Sequence, residues 1–339
     1  MSGTLRAWFA AARPHTLSAA VVPVLVGTAL AYGQPGFAWS VCGLTLLASL
    51  LVQIGANFVD EYSDHGATAS AHKYLAPHKV IASGQLSAGQ VRAGALVVFG
   101  TATLIGLALV WRAGWPLLWL ALGSLAVAYF YSGGPRPLGD YALGEPLVFV
   151  TMGPVMVMGT VFAQLSRWEV AALVYSLPVA ALVTTILMAN NLRDGEEDRR
   201  NGRRTVVTVF GRTAVRSGYL ALLALAFAVP ALRAEGLLFP GSAASGWLWL
   251  PWLTLPLAAR VAGWVLRRED RHTLHRALRG TSALHLSFGV LHWCSCSFRA
   301  ASNERGVGRG TPRWWCLIAL DSESTRVAGC INEQVCVTP

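Results

Sequence analysis

Two short stretches of this chain repeat the pattern Asn-x-x-Asp-x-x-x-Asp, and each follows a long apolar run. With about 100° of helical rotation per residue, positions i, i+3 and i+7 share one face of a helix. One copy alone is equally typical of solvated residues at a helix end, but the repeat at a constant offset of 134 residues favours a site. Mg²⁺ prefers carboxylates, water and phosphates, so the pattern predicts a magnesium site for a phosphate-bearing substrate. The predicted metal ligands are Asp60, Asp64, Asp194 and Asp198, and the residues that orient them are Asn57 and Asn191.

The composition indicates a membrane protein. Hydrophobic residues make up 54% of the 339 residues, the mean hydropathy is +0.48, and charged residues make up 13%, about half the share in a soluble protein. A membrane span needs roughly 20 apolar residues. We therefore predict an all-α, polytopic membrane bundle of about nine transmembrane helices. The predicted spans are 17–32, 41–56, 93–110, 115–131, 147–164, 170–188, 217–232, 247–266 and a ninth from Leu278.

The distribution of positive charge predicts the orientation. The net charge of +10 is compatible with nucleic-acid binding, but Lys and Arg are concentrated in alternate loops. With a cytoplasmic N-terminus, 18 of them lie in inward loops and 3 in outward loops, which is the bias of cytoplasmic segments. We therefore expect a multi-pass protein of the plasma membrane that binds no nucleic acid, with both Asp motifs on the cytoplasmic side. The basic run 199–204 is more typical of contact with anionic lipid.

The segment between the two Asp motifs offers further polar side chains on the same side of the membrane. The sequence YSGGPRPLGDYALGE, 131–145, is rich in Gly and Pro, which predicts an ordered turn. Its Tyr131, Ser132 and Arg136 are candidate substrate ligands, and Arg136 has the geometry for bidentate phosphate binding. Lys79, in the loop after the first motif, is another candidate. A plain helix connector and ordinary inward-facing charge are the alternative interpretations.

The character of the sequence changes near His292. Residues 292–339 show no periodicity and carry five of the six cysteines, without the spacing of a zinc site. We predict a membrane domain at 1–291 and an atypical tail at 292–339 that is disordered or artefactual and cuts the ninth helix short near Leu291.

Four segments resemble the UbiA superfamily of intramembrane prenyltransferases, and the resemblance covers roughly residues 5–290. They are ARPHTLSAAVVPVLVGTALA from Ala12, QIGANFVDEYSD from Gln53, YSGGPRPLGDYALGEPLVF from Tyr131 and NNLRDGEEDRRNGRRTV from Asn190. The resemblance implies a central cavity capped by two Asp-rich loops, Mg²⁺ dependence and an isoprenyl diphosphate donor. It also makes Arg13 a candidate diphosphate ligand. His15 departs from the family pattern, in which Lys is expected at this position.

Within that family the segments are similar to the branch of menaquinone biosynthesis. This similarity implies transfer of a polyprenyl group to 1,4-dihydroxy-2-naphthoate, with loss of carboxylate to give demethylmenaquinol. Homogentisate and 4-hydroxybenzoate are alternative acceptors. Two other classes also carry Asp clusters or internal repeats, a CDP-alcohol phosphotransferase and a secondary transporter. The first is disfavoured because Asp194-Gly195 lacks the continuation of its signature, and the second because both motif copies lie at the same membrane face.

Overall fold

The computed structural model describes residues 3–67, 79–238 and 246–305, and their regular structure is helical apart from one isolated bridge between Tyr141 and Arg204. The predicted all-α fold is confirmed. The α-helices are α1 (Gly3–Ala11), α2 (Ser18–Ala31), α3 (Trp39–Ala67), α4 (Ala88–Ala113), α5 (Trp115–Phe130), α6 (Gly144–Val150), α7 (Met156–Leu165), α8 (Val170–Arg200), α9 (Val206–Ala234), α10 (Leu255–Arg267) and α11 (Arg271–Arg305). A π-helical turn, Thr151–Val155, joins α6 to α7, and 3₁₀ helices cover Pro14–Thr16, Leu138–Asp140 and Gly246–Thr254.

Several of these helices are long and apolar enough to cross a membrane, which confirms the predicted multi-pass bundle. Among the described residues five qualify, and a sixth results if α1 and α2, which meet at 54°, form one bent span. The five are Trp39–Ser63, Ala88–Ala113, Gly144–Leu165, Val170–Arg200 and Val206–Ala234. The prediction of about nine exceeds this number because α5 has only 16 residues and α10 only 13, while α11 begins with a charged stretch.

Local sequence signals set both ends of α4. Ser87 and Gln90 form a reciprocal capping box at the start of α4, which satisfies two backbone donors that the helix leaves free. At the other end of α4, Gly114 adopts a φ of 104°, which allows the chain to turn directly into α5. The chain therefore reverses sharply here, and α5 returns along α4.

Close contacts at glycines bring the helices of one wall of the bundle together. A methyl group at Gly153 would lie 2.3 Å from the Cβ of Ala180, and one at Gly27 would lie 2.6 Å from the Cβ of Thr160. Small residues at such positions let helix backbones approach closely. Helices α2, α7 and α8 consequently form one tightly packed wall.

The structure corrects the expectation for the ninth predicted helix. Helix α11 does not end near Leu291 but continues to Arg305, and His292, Ser295 and Cys296 are buried. The Ser295 hydroxyl donates to the carbonyl of His292 at 2.7 Å, so this polar residue is satisfied within the helix. The change in composition near His292 therefore does not end the helix, because these turns are buried within the protein. The division into domains 1–291 and 292–339 stays a prediction, and residues 306–339 lie outside the described residues.

Candidate active site

A cavity of about 510 Å³ runs through the bundle, with a charged end and an apolar end. Asp60 on α3 and Asp194 and Asp198 on α8 line the charged end. The lining then follows α3 to Thr45, fifteen residues before Asp60, which corresponds to about 22 Å along a helix. At that depth the walls are apolar and include Leu109 from α4. The cavity therefore has the dimensions of an amphiphile with an ionic head and a long apolar chain.

Asp60 is held by cations from two separate segments. Arg13 Nη2 lies 2.5 Å from Asp60 Oδ2, and Lys79 Nζ lies 3.9 Å from the same oxygen. The Ser132 hydroxyl donates to Asp60 Oδ1 at 3.0 Å. The Asp60 side chain is 24% exposed, whereas the side chains of Arg13 and Lys79 are 14% exposed. These three polar partners surround a carboxylate that remains accessible from the cavity.

Glu61, the neighbour of Asp60, fixes the segment that carries Lys79. Its side chain is 1% exposed and lies 3.8 Å from both Arg13 and Lys79. Its Oε1 also accepts a hydrogen bond from the backbone N–H of Ile81 at 3.1 Å. A buried carboxylate needs such partners to be tolerated, and in this position it ties Lys79 to the end of α3.

Asn57 positions the turn from which Arg13 extends. Its Nδ2 donates to the carbonyl of Ala12 at 2.8 Å and to the hydroxyl of Thr16 at 3.0 Å. Arg13 itself adopts a left-handed conformation with a φ of 51°, which is uncommon for a residue with a side chain and needs support from its surroundings. Asn57 therefore acts on Asp60 indirectly, through the backbone around Arg13.

The second Asp motif has its own set of cations. Arg193 pairs with Asp194, with Nε 2.7 Å from Oδ1. Arg271, at the start of α11, lies 2.7 Å from Glu197 and 3.4 Å from Asp194. Asn191 differs from Asn57, because its Nδ2 donates to the buried Glu145 at 2.8 Å. The two copies of the motif thus share a sequence pattern but not their hydrogen-bond partners.

Asp198 is the most buried of the described motif carboxylates, with a side chain that is 6% exposed. Arg203 Nη1 lies 3.5 Å from Asp198, and Arg203 Nε lies 2.6 Å from Asp140 in the loop after α5. The backbone N–H of Arg204 donates to the carbonyl of Asp140 at 3.1 Å. Arg203 therefore joins the end of α8 to the Gly- and Pro-rich loop, directly beside the cavity.

The structure brings most of the predicted site residues into one place. The cavity lining contains Arg13, Asn57, Asp60, Lys79, Tyr131, Ser132, Asn191, Asp194 and Asp198. Burial, followed by the nearby Glu145, raises the pKa of Tyr131, so its hydroxyl is protonated at neutral pH. Arg136 is exposed and is not among the residues that line the cavity. The side chain of Asp64 lies outside the described part of the chain.

The donor set fits a magnesium site that substrate completes. In the described ranges, no group of three or more His, Cys, Asp or Glu side chains is arranged to hold a metal ion. Mg²⁺, however, is usually held by one or two carboxylates together with water and substrate phosphates. Asp60, Asp194 and Asp198 supply carboxylates from two walls of one cavity, which suits such a site better than a closed protein cage.

Several residues of the charged end escaped the sequence-based prediction. Arg271 and His275 line the cavity from α11, and Arg193 and Arg203 line it from the region of the second motif. The signal for α11 was available, since Arg271, His275 and Leu278 have the i, i+4, i+7 spacing of one helix face. Arg203 belongs to the basic run 199–204, and the sequence does not distinguish it from the other arginines of that run.

Comparison with known proteins agrees with this architecture. The sequence profile of the UbiA prenyltransferase family matches residues 20–288. The chain is 31% identical to 1,4-dihydroxy-2-naphthoate octaprenyltransferase of Bacillus subtilis over 82% of this chain and 88% of that protein. It is 32% identical to the protein of that name from Escherichia coli, over 84% and 94%. A solved UbiA homolog from Archaeoglobus fulgidus bound to GPP and Mg²⁺ has the same fold, with a TM-score of 0.57, 14% identity and coverage of 85% and 99%. The chain belongs to the UbiA prenyltransferase family.

Proposed function

We propose that the protein transfers a polyprenyl group from polyprenyl diphosphate to 1,4-dihydroxy-2-naphthoate, with loss of the carboxylate, to give demethylmenaquinol. The observation that carries this proposal is the shape and charge of the cavity. Five cationic and four anionic side chains line its charged end, and the cavity extends about 22 Å from Asp60 to apolar walls. A diphosphate with a long isoprenoid chain matches both parts.

The choice of acceptor rests on the relatives. The proteins of Bacillus subtilis and Escherichia coli that match most of this chain carry the name 1,4-dihydroxy-2-naphthoate octaprenyltransferase. Homogentisate and 4-hydroxybenzoate remain alternative acceptors for a member of this family. Family membership disfavours the CDP-alcohol phosphotransferase and the transporter.

The residues of the charged end have distinct roles in the proposed reaction. Arg13, Lys79 and Arg203 bind phosphate oxygens, since each lines the cavity and has its cationic group beside a motif carboxylate. Ser132 and Asn57 keep Asp60 and Arg13 in place. The allylic C–O bond breaks, and its electron pair leaves with the diphosphate. The electron-rich ring attacks the allylic carbon, and loss of CO₂ restores the aromatic ring.

We propose that Asp60, Asp64, Asp194 and Asp198 hold Mg²⁺ together with the substrate diphosphate. When bound, the metal neutralises negative charge on the leaving group. The Archaeoglobus fulgidus homolog with GPP and Mg²⁺ supports this assignment by fold alone. The apolar walls exclude water from the allylic carbon, which favours attack by the aromatic ring over hydrolysis.

We also propose that the protein is located in the plasma membrane with the charged end towards the cytoplasm. The 18 to 3 distribution of Lys and Arg supports this orientation. Trp111 and Trp115 lie at the opposite end of the bundle and are 93% and 72% exposed, as expected for aromatic side chains at a membrane interface.

The test is a transfer assay with membranes that contain the protein. Labelled octaprenyl diphosphate is supplied with 1,4-dihydroxy-2-naphthoate, homogentisate or 4-hydroxybenzoate, and the products are identified by mass. The proposal predicts a prenylated naphthoquinol that lacks the carboxyl carbon, formed only with Mg²⁺. Preferred transfer to either benzenoid acid would contradict the acceptor assignment.

A further inference from the structure

One face of α11 crosses the cavity from its ionic end to its apolar wall. Arg271, His275 and Leu278 line the cavity from this face. Arg271 forms an ion pair with Glu197, and Leu278 is buried. His275 lies one helical turn beyond Arg271, between the ionic layer and the apolar wall. This is the depth at which the head of the proposed donor meets its first isoprene unit, and so the depth at which the acceptor ring must lie.

A second histidine lines the same cavity from another segment. His15 is in the 3₁₀ turn that follows Arg13. His275, Arg13, Arg193 and Arg279 all lie near enough to act on His15 electrostatically. Arg193 Nη1 is also 3.4 Å from His275 Nδ1. The two imidazoles thus lie in one region of positive potential, which adjoins the proposed diphosphate site at Arg13.

We propose that His275 and His15 bind the carboxylate of the aromatic acceptor and so select acidic rings. The proposal rests on the proposed function and deepens it, because it assigns the acceptor subsite. The two side chains supply N–H donors at the junction of the ionic and apolar parts of the cavity. In that position they orient the ring towards the allylic carbon and place its carboxylate away from the diphosphate.

Neutral imidazoles suit a carboxylate that must later leave as CO₂. Burial, followed by the charges of Arg193 and Arg279, lowers the pKa of His275, while Asp194 acts in the opposite direction. A hydrogen bond from a neutral imidazole to a carboxylate is already charge-assisted, and an imidazolium would add the attraction of a full positive charge. A cationic partner would therefore stabilise the carboxylate against decarboxylation more than a neutral N–H donor does.

The experiment measures KM for 1,4-dihydroxy-2-naphthoate, KM for octaprenyl diphosphate, and the inhibition constant of 1,4-naphthalenediol, which lacks the carboxylate. The variants are His275→Ala and His15→Ala, with His275→Gln as the conservative change that keeps an N–H donor. His272→Ala is the matched control, because His272 is exposed on α11 and does not line the cavity. All are assayed in the full-length protein in membranes.

Each alanine variant should raise the acceptor KM about 10- to 100-fold, the effect of one lost hydrogen bond to a charged group. The donor KM and the inhibition constant of the diol should stay within about 2-fold of wild type. Neither the donor nor the diol has the carboxylate with which the two histidines are proposed to bond, so neither loses a hydrogen bond in the variants. His275→Gln should recover part of the loss. An equal change in the inhibition constant of the diol, or a larger change in the donor KM, would overturn the proposal. If the wild type prefers another aromatic acid, the proposed function fails, whereas this assignment survives if the same variants raise the KM for that acid.

Discussion

Removal of Arg203 should impair donor binding far more than removal of its neighbour Arg199. Arg203 pairs with Asp140 and with Asp198, whose side chain is 6% exposed. Hydrogen bonds to charged groups contribute about 1.5–3 kcal/mol, and a tenfold change corresponds to about 1.4 kcal/mol. Because the Arg203 side chain is 35% exposed, water screens part of this energy, and the lower half of the range applies. Arg203→Ala should therefore lower kcat/KM for the donor by about 10- to 50-fold.

The same change should also lower stability, because it leaves the buried carboxylate of Asp198 with one cation fewer. We expect a loss of about 1–2 kcal/mol in the free energy of unfolding. Arg199 pairs with Glu196 on the surface, where the two side chains are 62% and 65% exposed, and such pairs contribute at most about 1 kcal/mol. Arg199→Ala should change kcat/KM by less than about 2-fold.

The assay is initial rate against donor concentration at saturating acceptor, with thermal unfolding in detergent measured in parallel. Arg136→Ala serves as a second control, because Arg136 is exposed outside the cavity lining. Equal losses in Arg203→Ala and Arg199→Ala would refute the reasoning. Such a result would mean that Arg203 contributes only general positive charge, as Arg199 does.

Three other changes have defined outcomes. Gly106 lines the apolar part of the cavity and has no atom within 4 Å of an added Cβ. Gly106→Leu should therefore raise the KM for octaprenyl diphosphate more than the KM for geranyl diphosphate, whereas Gly100→Leu, outside the lining, should change neither. Equal effects of Gly106→Leu on the two KM values would contradict a chain-binding role for this part of the cavity. In a cysteine-free background, a membrane-impermeant thiol reagent should label Glu235→Cys but not Glu196→Cys in intact cells, and the reverse result would contradict the orientation. Truncation after residue 291 removes buried turns of α11 and should lower the melting temperature in detergent; an unchanged value would show that these turns do not support the fold.

The sequence predicted the helical class and the main contents of the charged end, because both depend on strong local signals. Long apolar runs specify helices, and two identical Asp patterns specify one face on each of two helices. Partners from distant segments were less accessible. Arg203 and Arg271 reach the site only because the chain folds back on α8, and nothing in the basic run distinguishes Arg203 from Arg199. The predicted end of the ninth helix was wrong because the loss of periodicity after His292 does not reveal what these turns pack against, and Ser295 and Cys296 are buried in the structure.

The two copies of the Asp motif have the same sequence pattern, but their Asn residues make different contacts. Asn57 supports the backbone around Arg13, whereas Asn191 bonds to Glu145. Such differences depend on which segment lies opposite each helix, and this follows from tertiary packing alone. The carboxylates need only to face a common cavity, and the described members Asp60, Asp194 and Asp198 line one. Their role as metal ligands stays a prediction.

In the proposed mechanism both Asp motifs hold Mg²⁺ at one site. The measurement is the initial rate of prenyl transfer as a function of Mg²⁺ concentration for wild type, Asp60→Asn and Asp194→Asn, with Glu196→Gln as an exposed acidic control on α8. Each Asp variant loses the negative charge and one of the two carboxylate oxygens available to Mg²⁺, so both should lose turnover by at least about 100-fold, while the control matches wild type. Near wild-type turnover of either Asp variant at limiting Mg²⁺ would contradict a site built from both motifs.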